Sequence, residues 1–176
     1  MIVRPATDAD LGAITAIYGH HVLNSLGTFE ETPPEVSDMA ARKAAVDALG
    51  LPYLVAEDSS VGAGVVGYAY AAPFRPRAAY RFTVEDSVYV APGRMGRGIG
   101  KALVGRLIEA CEGLALRQIL AVIGDSANTG SIGLHRAMGF EEIGVARGLG
   151  FKFGRWVDVV WMQRRLNDGD DSLPIV

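Results

Sequence analysis

The chain has 176 residues, 49% of them apolar, which suits one compact domain with a full core and leaves little room for a second. A net charge of −3 argues against a general nucleic-acid-binding surface, a single cysteine rules out an internal disulfide, and no Cys/His cluster has zinc spacing, so no metal is expected. The N-terminus MIVRPATDADL lacks the charged-then-apolar pattern of a secretion signal, and no apolar run is long enough to span a bilayer. The expectation is a soluble, cytoplasmic protein that engages neither nucleic acid nor membrane.

Ile2 to Arg4 reads as a short strand, followed by a helix capped by Thr7 or Asp8 and running through Leu11, Ile14, Ile17 and Tyr18 at helical spacing. Gly27 to Pro34 reads as a loop, and Ser37 as the cap of a second helix reaching about Leu49. Pro52 to Glu57 and Val65 to Ala71 read as a hairpin joined by a Ser/Gly turn. A Pro/Arg loop from Pro73 to Ala79 leads into a β-branched strand, Phe82 to Val90. Gly93 to Gly100 is a glycine-rich turn opening a helix that carries Ile99, Ala102, Leu103, Leu107, Ala110 and Cys111 on one face. Gln118 to Ile123 is a strand, and Asn128 to Met138 a helix ended by Gly139. Phe140 to Val145 and Trp156 to Arg164 are late strands, with the glycine-rich stretch Gly148 to Gly154 as their connection. Strands alternating with helices after a mid-chain hairpin predict a mixed α/β sheet with helices on both faces. One domain is expected over 1–166, with 167–176 as a flexible tail.

The turn Arg94-Met95-Gly96-Arg97-Gly98-Ile99-Gly100-Lys101 carries the strongest chemistry. Glycines let backbone approach a ligand, and the helix start that follows presents free N–H groups and the positive dipole end, which together suit a phosphate. Arg97 and Lys101 can add charge. A Walker A loop would need glycine at Met95 and Ser or Thr at Ala102, and the spacing of Gly96, Gly98 and Gly100 is not that of a Rossmann fingerprint. The bland alternative is a turn that binds nothing.

Glu85 stands mid-strand in an apolar, β-branched run. In a central strand its carboxylate would cost stability, and partial burial would raise its pKa toward that of a working base; on an edge strand it would be a solvent-facing charge. Asp86 faces the other way by strand alternation and reads as structural. Asn128, Ser131 and His135 are three and four residues apart and form one polar stripe on a helix. Arg75, Arg77 and Arg81, before the Glu85 strand, can grip a carboxylate or remain solvated loop charges. Cys111 reads as core packing, and His20 and His21 as helix-end residues.

These motifs together resemble the GNAT superfamily of N-acetyltransferases. Its pyrophosphate loop has the pattern Q/R-x-x-G-x-G/A; Gly98-Ile99-Gly100 matches the glycines, and Met95 departs from the first position. Asn128-x-x-Ser131-x-x-x-His135-x-x-x-Gly139-Phe140 resembles the late GNAT helix. Thr83-Val84-Glu85-Asp86-Ser87-Val88-Tyr89-Val90, Ser131-Ile132-Gly133-Leu134-His135 and Phe151-Lys152-Phe153-Gly154-Arg155-Trp156-x-Asp158 are similar to the phosphinothricin and methionine-sulfone acetyltransferases, in a resemblance covering Ile2 to about Leu166. It implies a GNAT-type mixed sheet, direct acetyl transfer from acetyl-CoA to an amine, and a homodimer. It assigns Glu85 as general base and places His135 near the sulfur as acid or second base. Asn128 and Ser131 lie on the coenzyme-facing helix, and Val88, Tyr89 and Val90 form the strand along which pantetheine lies. The loop from Met95 to Lys101 takes the pyrophosphate. Phe29 and Glu31 match a substrate-covering loop, and Phe74, Arg75, Pro76, Arg77 and Arg81 match a substrate-binding W-R-P-F segment and its neighbour, with Phe74 in place of Trp and Arg77 in place of Phe. The expected acceptor is the α-amine of a small amino-acid analogue. The rival expectations are a peptide N-terminus or another amine as acceptor, and a non-catalytic acyl-CoA-binding module.

Overall fold

The computed structural model describes residues 1–58 and 64–174. The expected Ser/Gly turn of the first hairpin falls on 59–63, outside the described residues. Seven strands form one sheet: β1 (Ile2–Pro5), β2 (Tyr53–Glu57), β3 (Val65–Pro73), β4 (Thr83–Val90), β5 (Gln118–Gly124), β6 (Glu141–Lys152) and β7 (Arg155–Arg165). Their order is β1-β2-β3-β4-β5-β7-β6. All neighbours are antiparallel except β4 and β5. Four helices complete the chain: α1 (Leu11–Asn24), α2 (Val36–Ala48), α3 (Ile99–Gly113) and α4 (Thr129–Ala137).

Each face of the sheet carries its own core. Leu11, Ile14, Ile17, Tyr18 and Val22 recur at helical spacing on α1 and join Met39 and Val46 of α2 against Tyr53, Val55 and Tyr68. On the opposite face, Leu103, Leu107 and Cys111 of α3 pack on Val84, Ile119 and Met162. Helices therefore cover both faces, as the alternating pattern predicts. Among the described residues, no helix is long and apolar enough to cross a membrane.

Three local readings are corrected. A 3-10 turn over Asp8–Asp10 precedes α1, with Thr7 N–H donating to Asp10 Oδ2 at 2.7 Å. Glu35, not Ser37, starts α2, because Asp38 reaches back to accept the Glu35 N–H at 2.9 Å. The glycines expected to form a long connection before Trp156 lie inside β6 instead. The register shift at Ala146/Gly150 absorbs Gly148 and Gly150 as a bulge. The actual turn is the pair Phe153-Gly154, at φ 52 and 74, the left-handed geometry of a two-residue hairpin. Residues 167–174 turn back on the domain: the Asn167 side chain donates to Glu112 O and Leu116 O, and Arg117 donates to Ser172 and Leu173.

One feature of the sheet creates the site. The parallel pairing of β4 and β5 runs only from Thr83↔Gln118 to Asp86↔Ala121. Beyond it the strands part, leaving residues 87–90 of β4 paired on one side only. The bonds from Phe74 N to Thr83 O and from Ala91 N to Val66 O fix the phase of the β3–β4 ladder. Val88 and Val90 consequently direct their N–H and C=O groups away from β3, into the opening.

Candidate active site

A cleft of about 980 Å³ occupies this opening. One of its walls is made largely of backbone. Gly96 and Gly98 have φ of 75 and 79, and open space lies where a Cβ would project. Gly98 caps α3, whose first-turn N–H groups have no acceptor within the helix. Gly100 serves a different purpose: a Cβ there would lie 2.9 Å from Leu134, so it lets α4 pack against α3. The Asn128 side chain caps α4 by accepting the Ser131 N–H at 3.1 Å.

The cleft brings together Glu85, Val88, Tyr89, Val90, Met95, Gly96, Gly98, Ile99, Gly100, Lys101, Asn128, Ser131, His135 and Phe29, all singled out from the sequence. It is not lined by Arg97, Glu31, Phe74, Arg75, Pro76, Arg77 or Arg81. The Arg75 guanidinium rests 4.5 Å over the Phe74 ring and 6.0 Å over Trp161. Arg81 lies over Phe82 and donates to Ala78 O.

Glu85 is half-buried, and its pKa is raised. Burial is the main cause, the neighbouring Asp86 charge adds to it, and Arg75 opposes it. That environment is the one a carboxylate base requires. His135 is almost wholly buried, and both ring nitrogens face acceptors: Nδ1 lies 2.8 Å from Ser131 O and Nε2 lies 3.0 Å from Asp86 Oδ2. Asp86 accepts the Nε2–H, and the two acceptors facing the ring favour its protonated form. Burial works against the charge, but the hydrogen bond and charge of Asp86 outweigh it and raise the pKa. Asp86 Oδ1 is buried with no hydrogen-bond partner among the described residues.

Sequence reasoning missed several wall residues. His21 lines the cleft and donates Nε2–H to Val90 O at 2.9 Å, the carbonyl that faces the opening. It continues the buried stripe of Ile14 and Ile17 by one turn, which is the signal that could have found it. Burial pushes its pKa down. Phe153 and Arg155 also line the cleft, and Arg155 pairs with Asp125 at 2.7 Å. Their motif was visible, but their place at the cleft depends on the hairpin turn. Among the described residues, no group of acidic, His and Cys side chains could hold a metal ion.

A mixed sheet opened between its parallel pair, with a glycine loop and helix start at one side and a half-buried carboxylate on the strand, defines an acyltransferase of the GNAT kind. The chain belongs to the acetyltransferase (GNAT) family, whose pattern matches residues 17–140. It is 56% identical to a phosphinothricin N-acetyltransferase of Alcaligenes faecalis over 98% of this chain and 86% of that one. It is 43% identical to an L-methionine sulfoximine/L-methionine sulfone acetyltransferase of Pseudomonas paraeruginosa, over 94% of each chain. Among solved structures it superposes with TM-score 0.95 on a phosphinothricin acetyltransferase from Sinorhizobium meliloti in complex with AcCoA. That pair is 49% identical and covers 99% of this chain and 92% of the other.

Proposed function

We propose that the protein transfers the acetyl group of acetyl-CoA to the α-amine of a small amino-acid analogue of the phosphinothricin or methionine sulfone and sulfoximine type. The observation that carries this reading is Glu85, a half-buried carboxylate of raised pKa in the same cleft as the glycine loop and the unpaired edge of β4. The named activities of the relatives support the acceptor class.

The glycine loop, the first turn of α3 and Lys101 hold the pyrophosphate, where open space over Gly96 and Gly98 fits it. Val88 and Val90 offer backbone groups to pantetheine as an added strand would use them. Asn128 and Ser131 stand on the adjacent α4 wall. A protonated amine cannot attack a thioester, so Glu85 first takes a proton from the ammonium. The neutral amine then forms the C–N bond, the C–S bond breaks, and the proton that the attacking nitrogen sheds passes to the departing thiolate, giving the amide and the thiol form of CoA. His135 has both N–H groups committed, so it contributes a fixed positive charge near the developing thiolate rather than a mobile proton. Arg75 stands outside the cleft lining, over Phe74 and Trp161, but its charge is felt at Glu85, and it is the cation assigned to the acceptor carboxylate.

The chain works in the cytoplasm as a homodimer. Ile143, Leu149, Phe151 and Trp156 on β6 and β7 are each more than half exposed, a patch of the kind an association covers. Light scattering on the purified protein should return twice the 18.7 kDa chain mass.

The decisive experiment is a thiol-release assay with acetyl-CoA against amino acids, sulfones, sulfoximines, phosphinothricin, free peptides and aminoglycosides. Fastest turnover is expected with the sulfone, sulfoximine and phosphinothricin group. Arg75→Ala should raise KM for the acid severalfold and leave KM for its amide unchanged. Preference for peptides or uncharged amines would overturn the reading.

A further inference from the structure

Lys152 ends β6 and is 1% exposed, yet it has no carboxylate within salt-bridge distance among the described residues. A lysine withdrawn from water to this extent is costly unless its ammonium is satisfied. Its partners here are backbone carbonyls of a distant segment: Nζ donates to Ser25 O at 3.0 Å and to Thr28 O at 2.8 Å. The same nitrogen lies 4.8 Å over the Phe153 ring.

Those carbonyls belong to the segment joining α1 to α2, residues 25–35. Surface segments ordinarily satisfy such groups with water. This one is fastened from both sides. Tyr18 OH donates to Glu30 Oε1 at 2.8 Å, and Arg42 reaches both Glu30 oxygens at 2.7 and 3.1 Å. It is also seated on bare backbone. A Cβ at Gly124 would lie 2.0 Å from Leu26 O, and one at Gly150 would lie 2.3 Å from the Phe29 ring. Leu26, Gly27, Thr28 and Phe29 line the cleft that contains Glu85.

We propose that Lys152 is a positioning residue for the acceptor: its buried ammonium pins residues 25–28 across the ends of β5 and β6 and so sets the Phe29 ring as a wall of the cleft. The inference rests on the reading that this wall receives the amine. Lys152 touches neither the amine nor the thioester. It acts through the segment it holds, so its loss should loosen that segment and misplace the acceptor relative to Glu85. Displacements of about 1 Å by remote changes can cost on the order of a hundredfold in rate. Lys152 reaches the glycine loop and β4 only indirectly, through Ser25 and His21, which donates to Val90 O, so the coenzyme side should feel its loss far less.

The test compares the wild type with Lys152→Met, which keeps length without charge, and with Lys152→Gln, which keeps one donor should the methionine variant fail to fold. Hydrogen exchange is followed over residues 25–31 and over α3. Steady-state kinetics use phosphinothricin and acetyl-CoA. The expected result is faster exchange confined to 25–31, with KM for phosphinothricin raised about tenfold or more and KM for acetyl-CoA within about twofold. Combining either variant with Phe29→Ala should add little further loss, because both remove the same wall. Unchanged exchange over 25–31 overturns the clamp, as does an equal rise in exchange at α3 with both KM values moving together. Failure of the wild type to acetylate any amine would instead defeat the proposed reaction, and the exchange data would still decide whether Lys152 holds the segment.

Discussion

The two walls of the cleft are built from different materials. The wall proposed for the coenzyme is backbone: glycines at positive φ, the open first turn of α3, and the groups of Val88 and Val90 turned away from β3, of which Val90 O already accepts from His21. The wall proposed for the acceptor is side chain, assembled from Glu85 on β4, Phe29 after α1, Phe153 and Arg155 at the β6–β7 turn, and the buried Lys152 behind them. A wall of backbone can serve any substrate that carries the same coenzyme arm. A wall of side chains can be changed one residue at a time, and it is where specificity for the amine must reside.

Substitutions on either side should separate the walls. Glu85→Gln removes the base and keeps its shape, so kcat should fall on the order of a hundredfold or more while the thermal shift produced by acetyl-CoA stays the same. A raised carboxylate pKa means that the folded protein favours the protonated form, so the ionised group costs stability at neutral pH. The Gln variant should therefore melt no lower than the wild type. Wild-type rates in this variant would remove Glu85 from the chemistry and join the two walls in a binding role alone.

Gly98→Ala strikes the other wall. A non-glycine residue at φ 79 costs about 1 to 2 kcal/mol, and the loop can relieve that only by leaving its cradle. KM for acetyl-CoA should rise about tenfold with KM for the amine nearly unchanged. Equal changes in both constants would mean that the loop supports the whole cleft and not one side of it.

The smallest effect expected is on stability against pH, where the buried His135 and the half-buried His21 oppose each other. The His135 pKa is raised, so its contribution is complete below the unfolded value of about 6.5 and is lost as pH rises through the folded value. The His21 pKa is lowered, so its contribution is present above about 6.5 and is lost as pH falls. Tm should pass through a maximum near neutrality. A double variant, Asp86→Asn with His135→Gln, should lose the decline on the alkaline side only, as read by calorimetry across the pH range. A decline that survives in it would assign that side to other groups.

The same contrast explains what was legible beforehand. Glycine spacing, a helix start and a carboxylate within an apolar strand are local patterns, so the loop, α3 and Glu85 could be read from consecutive residues. The alternation of strands and helices likewise sufficed for a sheet covered on both faces. The acceptor wall depends on contacts between residues 25–29 and 150–155, more than a hundred positions apart, and no local pattern encodes them. The glycines near 148 misled for a related reason: a bulge within a strand and a loop call for the same residue. His135 was found as one member of a polar stripe, but its partner Asp86 comes from β4, and only the pair fixes both ring nitrogens.

The β6–β7 turn shows a conflict between durability and use. Phe153 sits at φ 52, where asparagine or glycine would rest more comfortably, and its ring lines the cleft. An engineer seeking a hardier protein would choose Phe153→Asn or Phe153→Gly here, for a gain of roughly 1 kcal/mol. The same choice would take an aromatic surface from the acceptor wall. The tension in this turn is the cost of placing a ring where the backbone reverses, and heat resistance gained at this position would come at the expense of grip on the substrate.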